Sequence, residues 1–178
     1  MEEDLMHDIK CVLIDKEQIR KKCEELGKKI SSDYCGKKPL FVCVLKGSVM
    51  FYADLLRNIN IDCELEFMAI SSYGTGKSSS GEVKVVKDLN TKVEGRDIII
   101  VEDIVDTGIT LMYLVNLLKC RGASSVEICA LLDKIERRER EVYPKYKGFV
   151  IPNEFVVGYG LDFNEKYRNL PEVCILNS

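Results

Sequence analysis

The stretch DIIIVEDIVDTGIT, residues 97 to 110, limits the possible folds of this chain more than any other segment. Residues 98 to 101 form an unbroken block of β-branched side chains, which is typical of a strand covered on both faces. Three acids follow at the predicted exit of this strand, and then a small hydroxyl-rich turn. Apolar residues next recur at helical spacing, at Leu111, Leu114, Val115 and Leu118. Because Gly122 can end that helix, the segment predicts a strand, an acidic turn and a helix.

The same order of strand, turn and helix occurs once before, in LFVCVL, KGS and VMFYADLLRNI, residues 40 to 59. Near the amino end, IKCVLI reads as a strand, and Asp15 can cap a helix. Its predicted buried face contains Ile19, Cys23, Leu26 and Ile30. SVEICALLDK adds another strand, so the alternation predicts an α/β fold with a mainly parallel sheet.

Two further regions depart from simple alternation. CELEFMAISSY and EVKVVKDL, residues 63 to 73 and 82 to 89, predict an antiparallel pair joined by a polar loop. Short extended pieces at the carboxyl end, GFVIP, EFVVGYGLDF and EVCIL, are predicted to form a smaller flap with the amino-terminal strand. At 178 residues, with 46% hydrophobic residues, the chain suits one domain.

Charge and cysteine content narrow the classes of partner. A formal net charge of −3 predicts no general attraction to nucleic acid or to anionic membranes, so an anion must be bound locally. No apolar stretch has the length needed to span a bilayer. The eight cysteines are dispersed, without a Cys-x-x-Cys pair or a signal-peptide pattern, which indicates reduced thiols in a cytoplasmic protein. His7 stands alone, so a structural zinc site is not expected.

The polar loop contains SSYGTGKS, residues 71 to 78, which nearly matches the phosphate-binding pattern Gly-x-x-x-x-Gly-Lys-Ser. The first position is Ser71, and the lysine is followed by poor helix formers and then a strand pattern. A phosphate-binding loop of that class needs a helix start directly after the lysine. The loop is therefore interpreted either as a solvated hairpin or as a mobile lid over an active site.

The acids beside the DTGIT turn suggest one kind of ligand. A helix start offers free backbone N–H groups to a phosphate, and Gly108 permits close approach. Carboxylates repel phosphate, but Glu102 and Asp103 can accept hydrogen bonds from a sugar diol. A pentose phosphate satisfies both requirements. A solvated acidic rim, or a divalent-metal site like that of phospho-acceptor receiver domains, also fits these residues alone.

VEDIVDTGIT resembles the phosphoribosyl pyrophosphate motif of type I phosphoribosyltransferases. In chain order, VLKGSVMF, SSYGTGKSSSGEVKVVKDL, LLDK and FVVGYGLDFNEKYRNLPEVCIL are similar to four segments of hypoxanthine-guanine phosphoribosyltransferases: the pyrophosphate loop, the lid, the purine-contact lysine and the base-stacking hood. The resemblance implies a single domain, residues 1 to 178, with a central sheet flanked by helices. It also implies a flexible hairpin loop and a small hood built from residues 1 to 14 and 148 to 178.

The resemblance implies roles at the sugar and phosphate end of the site. Glu102 and Asp103 would hold the ribose hydroxyls, directly or through magnesium. The 5′-phosphate would lie in a cradle formed by Asp106, Thr107, Gly108, Ile109 and Thr110. Asp106 would also accept the proton lost from N7 of the purine.

The pyrophosphate and metal roles are implied in the same way. Lys46 and Gly47 would present backbone N–H groups to pyrophosphate from a turn with a cis peptide, although a Lys-Gly pair is usually an ordinary strand-ending turn. Arg168 would contact pyrophosphate, and Asp162 would orient magnesium through water. Taken singly, the last two residues would be surface charges.

The purine end and the lid complete the implied site. Lys134 would donate to O6 of a 6-oxopurine, Phe155 would stack on the base, and the Val156 backbone would read its edge. Without the resemblance, Lys134 is a surface lysine and Phe155 a core residue. Ser72 and Tyr73 are the candidate lid residues. Ile135 and Gly160 stand where relatives carry proline and alanine, which affects the shape expected for the base pocket.

The implied activity is magnesium-dependent transfer of a phosphoribosyl group from phosphoribosyl pyrophosphate to hypoxanthine or guanine, giving IMP or GMP and pyrophosphate in purine salvage. The resemblance also implies a dimer or tetramer. A regulator that keeps this fold to sense phosphoribosyl pyrophosphate and bind nucleic acid is the alternative. The acidic composition argues against that alternative.

Overall fold

A computed structural model describes residues 8–72 and 83–177 of the chain. Its helices are α1 (Lys16–Asp33), α2 (Val49–Leu56) and α3 (Ile109–Cys120), with a short 3-10 turn at Ile135–Arg137. Its strands are β1 (Ile9–Ile14), β2 (Leu40–Leu45), β3 (Glu64–Ser72), β4 (Val83–Lys87), β5 (Asp97–Val105), β6 (Ser125–Asp133), β7 (Tyr146–Val150), β8 (Val156–Val157) and β9 (Val173–Leu176). This α/β alternation confirms the predicted fold class.

The larger sheet has the strand order β4-β3-β2-β5-β6-β7. Its neighbours are parallel except for the antiparallel pair β3 and β4, as the two segments around the polar loop predicted. Parallel strands end at the same edge, so the carboxyl ends of β2, β5 and β6 lie together. Ligands of open α/β sheets bind beyond that edge.

Both faces of the larger sheet are covered, which explains the unbroken apolar run of β5. Ile99 and Val101 pack in a core with side chains of α1 and α2, whereas Ile98 and Ile100 pack with side chains of α3. All four residues are fully buried. Successive strand residues point to opposite faces, so a strand between two helical layers needs apolar residues at every position.

The helix ends follow the local signals in the sequence. Asp15 caps α1, and Gln18 completes a reciprocal pair of side-chain hydrogen bonds with it. Gly108 precedes α3 with φ 84°, and Gly122 follows its end with φ 84°. A left-handed conformation of this kind favours glycine. The one difference is α2, which ends at Leu56 rather than at residue 59.

The smaller sheet has the order β1-β9-β8, with both pairs antiparallel. It joins the first described strand to the last, as the flap interpretation predicted. The expected hood boundary at residue 148 needs correction, because residues 148 to 150 belong to β7, the edge strand of the larger sheet. Tyr146 anchors β7 there since its ring is fully buried and its hydroxyl donates to Asp33 at 2.8 Å.

All eight cysteines are free, and Cys43 on β2 and Cys129 on β6 are fully buried. Among the helices of the described residues, none has the length and apolar character to cross a lipid bilayer.

Glu66 on β3 is a buried carboxylate, only 6% exposed, that ties β3 to the segment after β4. Its side chain accepts hydrogen bonds from the Asn90 amide at 3.0 Å and the Thr91 hydroxyl at 2.8 Å. The Phe67 amide donates to the other oxygen at 3.2 Å. Burial opposes ionisation, but these hydrogen bonds outweigh it and hold the pKa of Glu66 below its usual value.

We expect Glu66→Gln to lower the free energy of unfolding at neutral pH by about 1 to 3 kcal/mol, since the amide has one acceptor oxygen and turns an NH2 donor toward a group that now donates. The folded-state pKa is depressed, so the ionised group stabilises the fold above its unfolded pKa of roughly 4.3. That contribution disappears as the pH falls through the folded pKa, and the difference from wild type should shrink in acid. Urea denaturation across pH, with exposed Glu141→Gln as the charge control, measures this. A difference independent of pH would contradict the assignment.

Candidate active site

The candidate site is a cavity of about 360 Å³ beyond the carboxyl ends of β2, β5 and β6. It brings together residues that are up to 122 positions apart in the chain, from Lys46 to Arg168. Its lining consists of Lys46, Gly47, Asp103, Ile104, Asp106, Lys134, Arg137, Phe155, Val156, Leu161, Asp162 and Arg168. Most residues assigned by the motifs therefore lie around one space.

Glu102 and Asp103 lie within β5, which continues to Val105, and not beyond its end as the sequence suggested. Glu102 pairs in register with Ala130 of β6, so the strand continues beyond the apolar block at residues 98 to 101. Burial raises the pKa of Glu102 well above its usual value, and the Asp103 carboxylate raises it further. Burial likewise raises the pKa of Asp103 to about 6, although the Ile104 amide donates to its Oδ1 at 2.7 Å. Both carboxyl groups therefore hold a proton more readily than usual, and a bound cation would also offset their buried negative charge.

The turn after β2 packs directly on one of these acids. The Leu45–Lys46 peptide is cis, as the resemblance implied. A methyl group at Gly47 would lie 1.6 Å from Asp103 Oδ2, and one at Gly160 would lie 2.0 Å from the Gly47 carbonyl oxygen. Both distances are far below van der Waals contact. Only glycine at both positions therefore lets the loop around Gly160 pack on the Lys46–Gly47 turn, and that turn pack on Asp103.

The DTGIT turn lines a second cavity of about 110 Å³, together with Glu102, Ile104, Val105 and Leu111. Here Thr107, Gly108 and Thr110 surround a space at the start of α3, where backbone N–H groups lack helical partners. Asp106 Oδ1 is shielded from solvent and has no hydrogen-bond partner among the described residues. Its Oδ2 pairs with Arg137 Nη1 at 3.2 Å.

The far end of the larger cavity combines one buried cation with an aromatic ring. Lys134 is 6% exposed, and burial lowers its pKa, an effect that the Asp106 carboxylate partly offsets. Phe155 is 54% exposed and meets the Phe163 ring edge-on at 5.6 Å between centroids. Val156, the next residue, is buried. This end offers an ammonium donor beside an open aromatic face, which suits a flat polar heterocycle.

Two further cations of the lining, Lys46 and Arg168, are paired with acids between residues 162 and 165. Lys46 Nζ lies 3.1 Å from Glu165 Oε2. Arg168 Nη2 lies 2.8 Å from Asp162 Oδ1, and Arg168 Nη1 donates to the Gly160 carbonyl at 2.8 Å. Lys46 and Arg168 both line the cavity, and an anionic ligand could replace the exposed Glu165 as the partner of Lys46.

Comparison with known proteins identifies the family. The phosphoribosyl transferase domain model matches residues 13–164 of the chain. The hypoxanthine-guanine phosphoribosyltransferase of Streptococcus thermophilus (strain CNRZ 1066) is 53% identical over 172 residues, covering 97% of this chain and 96% of that protein. The chain belongs to the hypoxanthine-guanine phosphoribosyltransferase family. The resemblance of its motifs is thereby confirmed.

Other relatives agree with this family membership. A hypoxanthine phosphoribosyltransferase structure from Staphylococcus aureus superposes with a TM-score of 0.95 at 46% identity, covering 99% of this chain and 96% of that chain. The bifunctional protein TilS/HprT of Listeria monocytogenes serotype 4b (strain F2365) is 52% identical over 174 residues. That match covers 98% of this chain but only 27% of the Listeria protein.

A magnesium ion of such a phosphoribosyltransferase would need oxygen ligands from both protein and substrate. Within residues 8–72 and 83–177, no three His, Cys, Asp or Glu side chains converge as a metal site. Glu102 Oε2 is shielded and has no hydrogen-bond partner within these residues. One or two carboxylates completed by substrate oxygens form a usual magnesium environment, so the residues fit the metal.

Ile109, the first residue of α3, lines neither cavity, and two further predicted residues contribute no geometry to the site. Ser72 ends β3, and Tyr73 lies outside the described residues. Conversely, the motifs did not point to Arg137, Arg138 or Glu165, which contact Asp106 or Lys46. The only sequence signal for the arginines is a basic pair shortly after a strand that ends at the ligand-binding edge.

Proposed function

We propose that this protein catalyses magnesium-dependent transfer of the 5-phosphoribosyl group from phosphoribosyl pyrophosphate to hypoxanthine or guanine. The products are IMP or GMP and pyrophosphate, so the reaction serves purine salvage. The observation that carries the proposal is the position of Asp106, which lines both the cavity with Lys134 and Phe155 and the smaller cavity of the DTGIT turn. A carboxylate shared by a heterocycle pocket and a phosphate turn suits a reaction that joins a base to a sugar phosphate.

The sugar end of this proposal uses the buried acids and the turn. Glu102 and Asp103 accept hydrogen bonds from the ribose hydroxyls, directly or through magnesium. The 5′-phosphate lies against the backbone N–H groups of the turn, Asp106, Thr107, Gly108, Ile109 and Thr110. Pyrophosphate binds at Lys46, Gly47 and Arg168. Positive charge and backbone donors at that position stabilise the leaving group as its bond to C1′ breaks.

The base end supplies orientation and proton transfer. Lys134 donates to O6, Phe155 stacks on the ring, and the Val156 backbone contacts the base edge. Asp106 accepts the proton from N7 as N9 attacks C1′, so the base becomes a better nucleophile while the bond forms. Ser72 and Tyr73 are proposed to contribute to a lid that keeps water from the reacting sugar.

Magnesium is proposed as the cofactor, with Glu102 and Asp103 near the ribose and with Asp162 acting through water. When bound, the ion would supply positive charge that neutralises pyrophosphate. Asp103 lies against Gly47, so the two acids and the Lys46–Gly47 turn are close enough to bind the same substrate molecule.

A turnover assay tests the proposal. With phosphoribosyl pyrophosphate and magnesium, we expect nucleotide formation from hypoxanthine and guanine and little from adenine, because Lys134 offers a donor where adenine also carries one. Xanthine is included to rank the 6-oxopurines. Omitting magnesium should abolish turnover. Absence of any purine nucleotide product would overturn the proposal, and nucleic-acid binding without turnover would favour the regulatory alternative.

We also propose a cytoplasmic homo-oligomer, a dimer or a tetramer, that binds neither nucleic acid nor membrane. Eight free thiols suit a reducing compartment. The net charge of −3 offers no general attraction to polyanions. Sedimentation velocity distinguishes the dimer and tetramer from a monomer.

A further inference from the structure

Arg138 is nearly buried, with 7% of its side chain exposed, and all three guanidinium nitrogens are engaged. Nε donates to the Asp106 carbonyl oxygen at 3.1 Å. Nη1 donates to the Val142 carbonyl oxygen, and Nη2 pairs with the Asp133 carboxylate, which has no exposed surface. This side chain therefore joins the end of β6, the segment after it and the start of the DTGIT turn.

The two residues after Arg138 donate hydrogen bonds to the next carbonyl of the same turn, that of Thr107. The amides of Glu139 and Arg140 both donate to the Thr107 carbonyl oxygen, at 2.9 and 3.1 Å. A methyl group on Gly108 would lie 3.1 Å from Arg138 Cδ and 3.3 Å from the Arg140 carbonyl oxygen. Residues 138 to 140 thus pack against one side of the turn and occupy two consecutive carbonyl groups.

The geometry of the peptide unit gives these contacts a consequence. In a planar trans peptide, the C=O and the following N–H point in opposite directions. Because the Asp106 and Thr107 carbonyls point toward residues 138 to 140, the Thr107 and Gly108 N–H groups point away from them. Thr107 and Gly108 line the 110 Å³ cavity, whereas residues 138 to 140 do not.

We propose that Arg138 is a positioning residue that aims the Thr107 and Gly108 N–H groups at the ligand's 5′-phosphate. This inference rests on the proposed function, which places that phosphate at the turn. Arg138 does not touch the substrate: it acts through the peptide units it holds. Asp133 keeps the guanidinium in place, since an unpaired buried carboxylate or guanidinium would be costly.

Arginine is required because the three acceptors lie around one planar group. A guanidinium presents its donors in a fixed fork, whereas a lysine ammonium is a single compact donor group on a flexible stem. Arg138→Lys keeps the charge opposite Asp133 but cannot reach all three acceptors. The Asp106 carbonyl is then released, and the orientation of the following N–H is lost.

The test compares two ligands that differ only in the 5′-phosphate, IMP and inosine, by calorimetric titration of wild type and Arg138→Lys. We expect the affinity for IMP to fall roughly 10- to 100-fold, as for one or two lost hydrogen bonds to a charged group. Affinity for inosine should be unchanged. KM for phosphoribosyl pyrophosphate should rise, while KM for hypoxanthine stays constant.

Arg96→Lys is the matched control. Arg96 is also largely buried, at 20% side-chain exposure, and its Nη1 pairs with Glu64 at 2.7 Å. It precedes β5 at the opposite edge of the sheet, so the same exchange should leave both affinities at wild-type values. If Arg138→Lys does not fold, Asp133→Leu/Arg138→Met replaces the buried pair by apolar side chains of similar volume, a type of exchange that proteins often tolerate. It should show the same selective loss for IMP.

The outcomes separate this inference from the proposed function. A selective loss of IMP affinity supports the positioning role. Equal weakening of IMP and inosine, or no change in either, would overturn it while leaving the proposed function intact, because wild type still prefers the nucleotide. If wild type itself shows no preference for IMP over inosine, the phosphate site is absent and the proposed function fails together with the inference.

Discussion

Asp106→Asn is expected to slow phosphoribosyl transfer by roughly 100- to 10,000-fold, the usual contribution of a positioned proton acceptor. The amide keeps the shape of the carboxylate but cannot take the purine proton. Phosphoribosyl pyrophosphate should bind nearly as in wild type, since the contacts proposed for its phosphate come mainly from backbone N–H groups. Single-turnover rates and a separate binding titration distinguish the two effects.

The control for Asp106→Asn is Asp88→Asn. Asp88 forms a two-pronged pair with Arg121, at 2.6 Å for each contact, on the surface away from both cavities. This control should keep the full rate. An Asp106→Asn enzyme with wild-type turnover would exclude Asp106 as the proton acceptor, whatever the control shows.

Lys134→Gln is expected to lower kcat/KM for hypoxanthine and guanine and to narrow their advantage over adenine. A buried donor without an acceptor costs ~1 to 3 kcal/mol, and more when it is charged. Adenine presents a donor to the Lys134 ammonium, which is only 6% exposed and cannot turn fully to water. A glutamine amide can donate or accept, so the preference should fall roughly tenfold or more.

The measurement for Lys134→Gln is kcat/KM for all three bases. Lys37→Gln serves as the control, because Lys37 is an exposed lysine paired with Asp97 at 3.1 Å, at the opposite end of β5. It should keep the wild-type preference. An undiminished choice of 6-oxopurines in Lys134→Gln would show that another contact discriminates between the bases.

Local patterns predicted most of the elements because each reports a local physical requirement. The block at residues 98 to 101 needed a strand covered on both faces, and both faces are covered. Asp15 could satisfy the free amides of a helix start, and it does so with Gln18. Gly108 and Gly122 adopt the left-handed conformations that their positions require. The motifs also placed most of the site residues around one cavity.

The tertiary structure decided what depends on neighbours distant in the chain. Only the pairing of β5 with β6 shows that Glu102 and Asp103 lie inside a strand. β7 joins the larger sheet by parallel pairing with β6, and Tyr146 also ties it to Asp33 of α1; no periodicity in GFVIP reports either contact.

The sequence by itself determined the fold class, the family and the strand–turn–helix around the DTGIT turn, because these depend on short contiguous patterns. Only the folded chain decided that Gly160 packs on Gly47 and Gly47 on Asp103. It also decided that Arg138 donates a hydrogen bond to the Asp106 carbonyl of the turn. The physical reason is that backbone approach and hydrogen-bond direction depend on how separate segments meet in space. Residue type at one position does not specify them.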